Sequence, residues 1–309
     1  MSKILVTGAA GNIGSELTKY LLTKNYYVTG FDNLSSGEKS NLPECDNQFS
    51  FIEGDVNNIN HLQNVMEASK FEYVFHLAAT VGVKKTTNFP LQVLEDIKGI
   101  ENILQLSCKT KVKRIFYASS SEIYGEPVEM PLHEETTPLN SKVPYAVVKN
   151  ICECYVKAYK KEFNLDYTIF RIFNTYGLNQ SRDFVIPRFI NLAVNNEDIL
   201  IYGDGSQTRT FLHVMDNVQS MIGCLEKNLY INDTLNIGSE DQITILDLAK
   251  LIINLTNSKS KIKFTKPLDV GDMSRRQPDI TKLRKIKPDF IELNEGLIYL
   301  IKYYNRKLS

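Results

Sequence analysis

An α/β fold with a doubly wound parallel sheet and a smaller C-terminal lobe is what this sequence predicts, on three observations. Short apolar strand-like runs alternate with amphipathic helical stretches through the first half of the chain. A glycine-rich turn joins the first run to the first helix, and beyond residue 175 the alternation loosens. Strands of this kind lie side by side in parallel, with the intervening helices covering both faces of the sheet.

Taken in order, "KILVTG" (3–8) reads as a strand, and an amphipathic stretch to Leu22 reads as a helix. "YYVTGFD" (26–32) and "FSFIEGD" (49–55) follow as strands, then helix-like "INHLQNVMEA" (59–68) leads to "EYVFHLA" (72–78). The helical run 91–109 leads to "KRIFYASS" (113–120), and the helix opening at "YAVVKN" leads to "DYTIFRIFN" (166–174). Past that point stand loops, short strands such as "DILIYGD" (198–204) and a helical "ILDLAKLIINLT" (245–256). The expected division is a nucleotide-binding domain of residues 1–174, re-entered at about 214–238, and a substrate lobe of 175–213 and 239–309.

Composition narrows the partners. With 36 basic and 36 acidic side chains the formal charge is zero, so neither nucleic acid nor an anionic membrane surface is an expected partner. No apolar run reaches the roughly 20 residues that span a bilayer, and "MSKILVTG" passes straight into a strand, so a cytoplasmic protein is expected. The five cysteines (45, 108, 152, 154, 224) are odd in number and contain no C-x-x-C. No disulfide framework and no metal site is expected from them, and Cys152 and Cys154, on one helical stretch, read as buried or half-buried thiols.

"VTGAAGNIGSEL" places Gly8, Gly11 and Gly14 between the first strand and the first helix. Such a turn lets backbone N–H groups and the helix N-terminus approach a pyrophosphate. Asp32 ends the second strand, where a carboxylate accepts from adenosine ribose hydroxyls and repels a 2′-phosphate; no arginine follows it in "FDNLSSG". NAD is therefore expected over NADP. Asp55, closing "FIEGD", fits either the adenine side of the nucleotide or the cap of a turn.

The distribution of motifs resembles the extended short-chain dehydrogenase/reductases that act on nucleotide sugars, a family with a Rossmann-type sheet. "TGAAGNIG", "HLAA" (76–79), "SSSEIYG" (119–125) and the pair Tyr145/Lys149 occur in that family's order. "RIFNTYG" (171–177), "GDGSQTRTFLHVMD" (203–216), "NIGS" (236–239) and "GDMSRRQPDITK" (271–282) complete it, so the resemblance covers essentially the whole chain. It implies NAD held by Gly8, Gly11, Asn12, Ile13, Gly14, Asp32 and Asn33, by Asp55 and Val56, by Leu77, Ala78 and Ala79, and by Tyr145 and Lys149. It implies a nucleotide-sugar substrate, UDP-, GDP- or dTDP-linked, met by Val81, Ser120, Ser121, Glu122, Asn174, Arg209, Arg275 and Arg276. Arginine suits a diphosphate because its planar fork holds two oxygens at once. The loop "TVGVKKTT" (80–87) should line the sugar side, with Lys84 or Lys85 pointing inward. A homodimer is the family's usual assembly.

Hydride transfer from a carbinol needs a base on the hydroxyl. Tyr145 serves if Lys149 and the positive ring of the cofactor lower its pKa from near 10, and a spacing of four puts the two on one helical face. Ser120 is the hydroxyl that resembles the family's partner of the substrate alcohol. Glu122 leaves the outcome open: it fits removal of the C5 proton, orientation of a carboxylate-bearing sugar, a hydrogen bond to a hydroxyl, or a local salt bridge. "S-S-S-E-x-Y-G" resembles both epimerase-like members and the UDP-glucuronate decarboxylases, which "RRQPDI" also resembles through Arg276. The expected function is oxidation at C4 by a 4-epimerase or C4 dehydrogenase. Decarboxylase-like chemistry comes next and a 4,6-dehydratase after it; a non-catalytic sensor is disfavoured by intact Ser120, Tyr145 and Lys149. Two departures stand out: Asp96 where relatives usually carry asparagine before "KG", and Thr210 where aspartate is common.

Overall fold

The computed structural model describes residues 2–82, 86, 88–266 and 276–308. In chain order they form β1 (Lys3–Thr7), α1 (Asn12–Thr23), β2 (Tyr27–Asp32), β3 (Phe49–Glu53), α2 (Ile59–Ser69), β4 (Tyr73–His76), α3 (Pro90–Thr110) and β5 (Arg114–Ser120). Then come α4 (Pro144–Phe163), β6 (Asp166–Ile172), β7 (Thr175–Tyr176), α5 (Val185–Val194), β8 (Ile199–Tyr202), β9 (Thr208–Thr210) and β10 (Leu212–His213). The chain closes with α6 (Val214–Glu226), β11 (Asp233–Ile237), β12 (Gln242–Thr244), α7 (Ile245–Thr256), β13 (Ile262–Thr265), α8 (Thr281–Arg284) and α9 (Leu293–Leu308).

Seven strands, all parallel, make one sheet in the order β11-β6-β5-β4-β1-β2-β3. Alternation along β1 explains its two covered faces. Ile4 and Val6 join one apolar cluster with Leu17 of α1 and Val218 and Met221 of α6, while Leu5 joins the other with Leu62 of α2, Ile103 of α3 and Val156 of α4. Phe75, Phe116 and Phe170 stack across β4, β5 and β6, with centroids 4.3 and 6.0 Å apart. Strand order reverses direction between β1 and β4, which opens a crevice at the carboxyl ends of the strands.

Beyond residue 175 the chain is more regular than its pattern predicts. Helices α5, α7 and α9 pack into a third apolar cluster with β8. Helix α5 is short and apolar, with Arg188 and Asn191 three apart on its outer face and Ile186, Phe189, Ile190 and Ala193 buried. The cysteines split: Cys152 is buried and Cys154 exposed, since two residues turn a helix by more than half a revolution. No helix among the described residues is long and apolar enough to cross a membrane.

Candidate active site

The carboxyl ends of six sheet strands, β1 to β6, converge on a cavity of ≈ 600 Å³ at the crevice. On the β1 side the glycine turn is locked by close approach. Gly8 has φ +70, and a Cβ there would lie 2.7 Å from the backbone nitrogen of Ala78; a Cβ on Gly14 would lie 2.0 Å from the carbonyl oxygen of Gly8. Gly11, the N-cap of α1, contributes no side chain, so the first N–H groups of the helix face the crevice unscreened. Asp32 ties the turn to β2: the Ala10 N–H donates to its Oδ2 at 2.9 Å, and the Leu34 N–H donates to its Oδ1 at 2.8 Å.

These features fit a dinucleotide. The Gly8 and Gly14 cradle has no room for a Cβ, and Asn12 Oδ1 is buried with no hydrogen-bond partner among the described residues. Each Asp32 oxygen keeps a second lone pair for a ribose hydroxyl. Ile13 and Asn33 line the same end of the cavity, as do Asp55 and Val56 and the strip Leu77, Ala78 and Ala79. Asp55 meets both readings of its position, because it lines the cavity while accepting the Asn57 N–H at 2.9 Å in a turn.

Strand β5 delivers the serines. Ser119 Oγ donates to Glu153 of α4 at 2.7 Å, whereas Ser120 Oγ accepts the Glu122 N–H at 3.2 Å and caps a short 3-10 turn. Helix α4 opens at Pro144, and Tyr145, Lys149 and Glu153 follow on one face at spacings of four. Lys149 Nζ donates to the Ala118 carbonyl at 2.7 Å and sits 5.9 Å from the Tyr145 ring centroid. Burial depresses the Lys149 ammonium. The Tyr145 phenol is pushed well up, first by burial and then by the charge of Glu122; Asp96 adds to this, and Ser120 and Arg276 oppose it. In the protein alone, therefore, desolvation and two carboxylates hold the proton on the phenol.

Glu122 and Arg276 close the far wall, Nη1 to Oε1 at 3.5 Å, both lining the cavity. Val81, Ser121 and Asn174 line it too, and Asn174 Nδ2 donates to the Thr210 carbonyl at 3.1 Å. Arg209 is placed differently. It lies buried on β9, opposite Ile243 of β12, with Nη1 donating to the Thr208 carbonyl at 2.7 Å, and it is not among the lining residues. Arg275, Lys84 and Lys85 lie outside the described residues.

Sequence reasoning missed two parts of the site. Tyr176, Gln180 and Phe211 also line the cavity, although "RIFNTYG" points only to Asn174; Thr80, at the start of the loop expected there, lines it as well. Behind the serines lies a buried network: Arg171 Nε and Nη2 donate to the two Glu153 oxygens at 3.0 and 2.9 Å, and Nη1 donates to Tyr124 Oη at 2.9 Å. Tyr124 Oη in turn donates to Asn236 Oδ1 of β11 at 2.8 Å. The one available signal was a glutamate four residues past Lys149 on an otherwise core-facing stripe.

The sequence profile described as the NAD dependent epimerase/dehydratase family matches residues 4–238. A UDP-N-acetyl-alpha-D-glucosaminuronate decarboxylase of Bacillus cytotoxicus is 36% identical over 299 residues, 92% of this chain and 91% of that protein. The crystal structure of a UDP-glucose 4-epimerase with UDP-glucose from Thermotoga maritima superposes with a TM-score of 0.94 at 30% identity, covering 99% of this chain and 100% of the other. A UDP-glucose 4-epimerase of Thermus thermophilus in complex with NAD gives 0.89 at 25% identity, covering 98% and 99%.

Proposed function

The chain belongs to the NAD-dependent epimerase/dehydratase family, and from that premise we propose that it oxidises C4 of a nucleotide-activated sugar, as a 4-epimerase or a C4 dehydrogenase. One observation carries this reading: Tyr145, Lys149 and Ser120 share a single cavity with the glycine turn and Asp32. NAD, when bound, supplies the acceptor for the C4 hydride. Gly8, Gly11, Asn12, Ile13 and Gly14 would hold its pyrophosphate end; Asp32 and Asn33, with Asp55 and Val56, its adenosine; Leu77 to Ala79, Tyr145 and Lys149 its reacting end.

The rest is done by this chain's own groups. Tyr145 Oη takes the proton of the C4 hydroxyl, and Ser120 Oγ holds that hydroxyl in line. Lys149, steadied by the Ala118 carbonyl, places a cation near the Tyr145 phenolate that accepts this proton. A positive charge brought into the cavity favours the phenolate and so offsets the desolvation that holds the Tyr145 proton on, which raises the share of Tyr145 able to accept a proton when the site is loaded. The resulting 4-keto sugar is either released, as in a dehydrogenase, or reduced on its opposite face, as in an epimerase. Asn174, Arg276 and, by motif, Arg275 would meet the diphosphate or sugar beside Val81 and Ser121. Arg209, being buried on β9, would act only by supporting that wall.

A second reading has its own observation. Glu122 and Arg276 stand as an ion pair in the same cavity as Tyr145, an arrangement that suits a sugar carboxylate and its loss as carbon dioxide. The similar Bacillus cytotoxicus protein bears a decarboxylase's name, and the similar Thermotoga maritima structure an epimerase's; both favour a UDP-linked sugar among UDP, GDP and dTDP. The accompanying assignments are a nucleotide domain of 1–174 with 214–238, a substrate lobe of 175–213 and 239–309, a homodimer, and a cytoplasmic location.

Product mass spectrometry decides between the readings. The purified protein is incubated with NAD and a panel of nucleotide sugars that includes uronic acids. An isomer of unchanged mass, or a product lighter by two hydrogens, supports C4 redox chemistry alone. Loss of carbon dioxide moves Glu122 and Arg276 into the reaction, and loss of water makes the protein a dehydratase.

A further inference from the structure

One charged group at the site has no part in the chemistry above. Asp96 lies on α3 between the fully buried Val93 and Ile100, three and four residues away, which fixes the way its side of the helix faces. It lines the cavity together with Tyr145 and Lys149. Both of its oxygens are engaged by a single residue just past β4: the Thr80 N–H donates to Oδ2 at 2.8 Å, and Thr80 Oγ1 donates to Oδ1 at 3.1 Å. Thr80 sits in the strip of cavity wall that runs from Leu77 to Gly82.

We propose that Asp96 is a positioning residue of the site, whose carboxylate clamps the wall at Thr80 and whose negative charge competes with Tyr145 for the ammonium of Lys149. This rests on the C4-oxidation reading. The clamp follows from two charge-assisted hydrogen bonds to one residue, the strongest tether that a short side chain can make to a loop. The competition follows from placement. Tyr145, Lys149 and Cys152 face Asp96 from α4, and Asp55 faces it from the turn after β3. Lys149 is the one cation among them. Glu122 and the guanidinium of Arg276 also face Tyr145, so the phenol stands among two carboxylates, the Lys149 amine and one guanidinium in a partly desolvated space. A neutral amide at position 96 keeps an acceptor for the Thr80 N–H while removing one of the two carboxylates, which separates the clamp from the charge.

Two variants and two readouts test this. Tyr145 ionisation is followed in the protein without cofactor by 19F NMR after 3-fluorotyrosine labelling, its resonance identified by loss in Tyr145→Phe. Asp96→Asn should lower the Tyr145 midpoint by roughly half a unit or more, and should move the rising limb of the pH profile of kcat/KM to lower pH by the same amount. Thr80→Val should leave the midpoint in place and raise KM for the sugar several-fold. An unmoved midpoint in Asp96→Asn overturns the charge competition, as does an equal shift in Thr80→Val; an unchanged KM in Thr80→Val overturns the clamp. Absence of any sugar oxidation by the unaltered protein would remove the reaction assignment, while the NMR midpoints would still decide the role of Asp96.

Discussion

Arg171 and Glu153 form a fully buried two-bonded ion pair, 3.0 and 2.9 Å, that fastens the helix carrying Tyr145 to the strand carrying Asn174's approach. Removing one partner strands the other charge in the interior, which costs about 3–5 kcal/mol. Arg171→Met should therefore lower the urea unfolding midpoint steeply. Pairing it with Glu153→Leu should recover most of the loss, because two apolar side chains of similar size replace a buried pair at little net cost.

Gly14 tests the cradle. An added Cβ would lie 2.0 Å from the Gly8 carbonyl oxygen, a backbone atom that cannot swing aside. Gly14→Ala should destabilise the protein by about 1–3 kcal/mol, as overpacking does. It should also weaken NAD binding more than tenfold. Thermal unfolding with and without NAD reads both, since only a protein that still binds gains stability from the ligand.

Tyr145→Phe keeps the ring and removes the base. Sugar oxidation should fall by roughly 10² to 10⁴ in kcat, the usual worth of a positioned proton acceptor. NAD affinity, set largely at the glycine turn and Asp32, should change less than about threefold by fluorescence titration. Turnover surviving at near the original rate would place the proton acceptor elsewhere.

His76 predicts an acid limit. It is buried on β4, its Nδ1 bonded to Thr7 Oγ1 at 2.7 Å, and its pKa is pushed down to about 3 by desolvation and then by Lys149. An unfolded chain protonates this ring near pH 6.5, whereas the folded one stays neutral. Its contribution is thus whole above pH 6.5 and is lost progressively as pH falls toward 3, by up to roughly 5 kcal/mol. His76→Asn should be less stable at pH 7 yet lose less on going to pH 5, as read from denaturant midpoints at the two pH values.

Legibility in the sequence followed distance along the chain. Gly8, Gly14 and Asp32 could be read because one turn and the next strand end determine their role. Tyr145 and Lys149 could be read because a helix repeats every 3.6 residues. Arg209 shows a limit: its motif is local, but its direction is set by pairing with β12, more than thirty residues on. Glu153, Arg171, Tyr124 and Asn236 could not be joined by any spacing, since their contacts span up to 112 positions and depend on sheet order. The raised pKa of Tyr145 in the protein alone could not be read for a third reason, because spacing reports proximity and not the desolvation that acts on the phenol.

The sheet's last strand has a consequence for how the chain is made. β6 ends at Ile172 and its outer neighbour β11 begins only at Asp233. At about 5–20 residues per second a ribosome needs several seconds to cross that interval. Throughout it, the apolar β6 edge emerges with its row of amide and carbonyl groups unmatched. Asn236, which accepts from Tyr124 and so completes the polar network behind the serines, arrives later still. The newborn chain is thus most vulnerable to self-association in that window, and chaperone capture is expected to concentrate on nascent chains that end between residues 172 and 237.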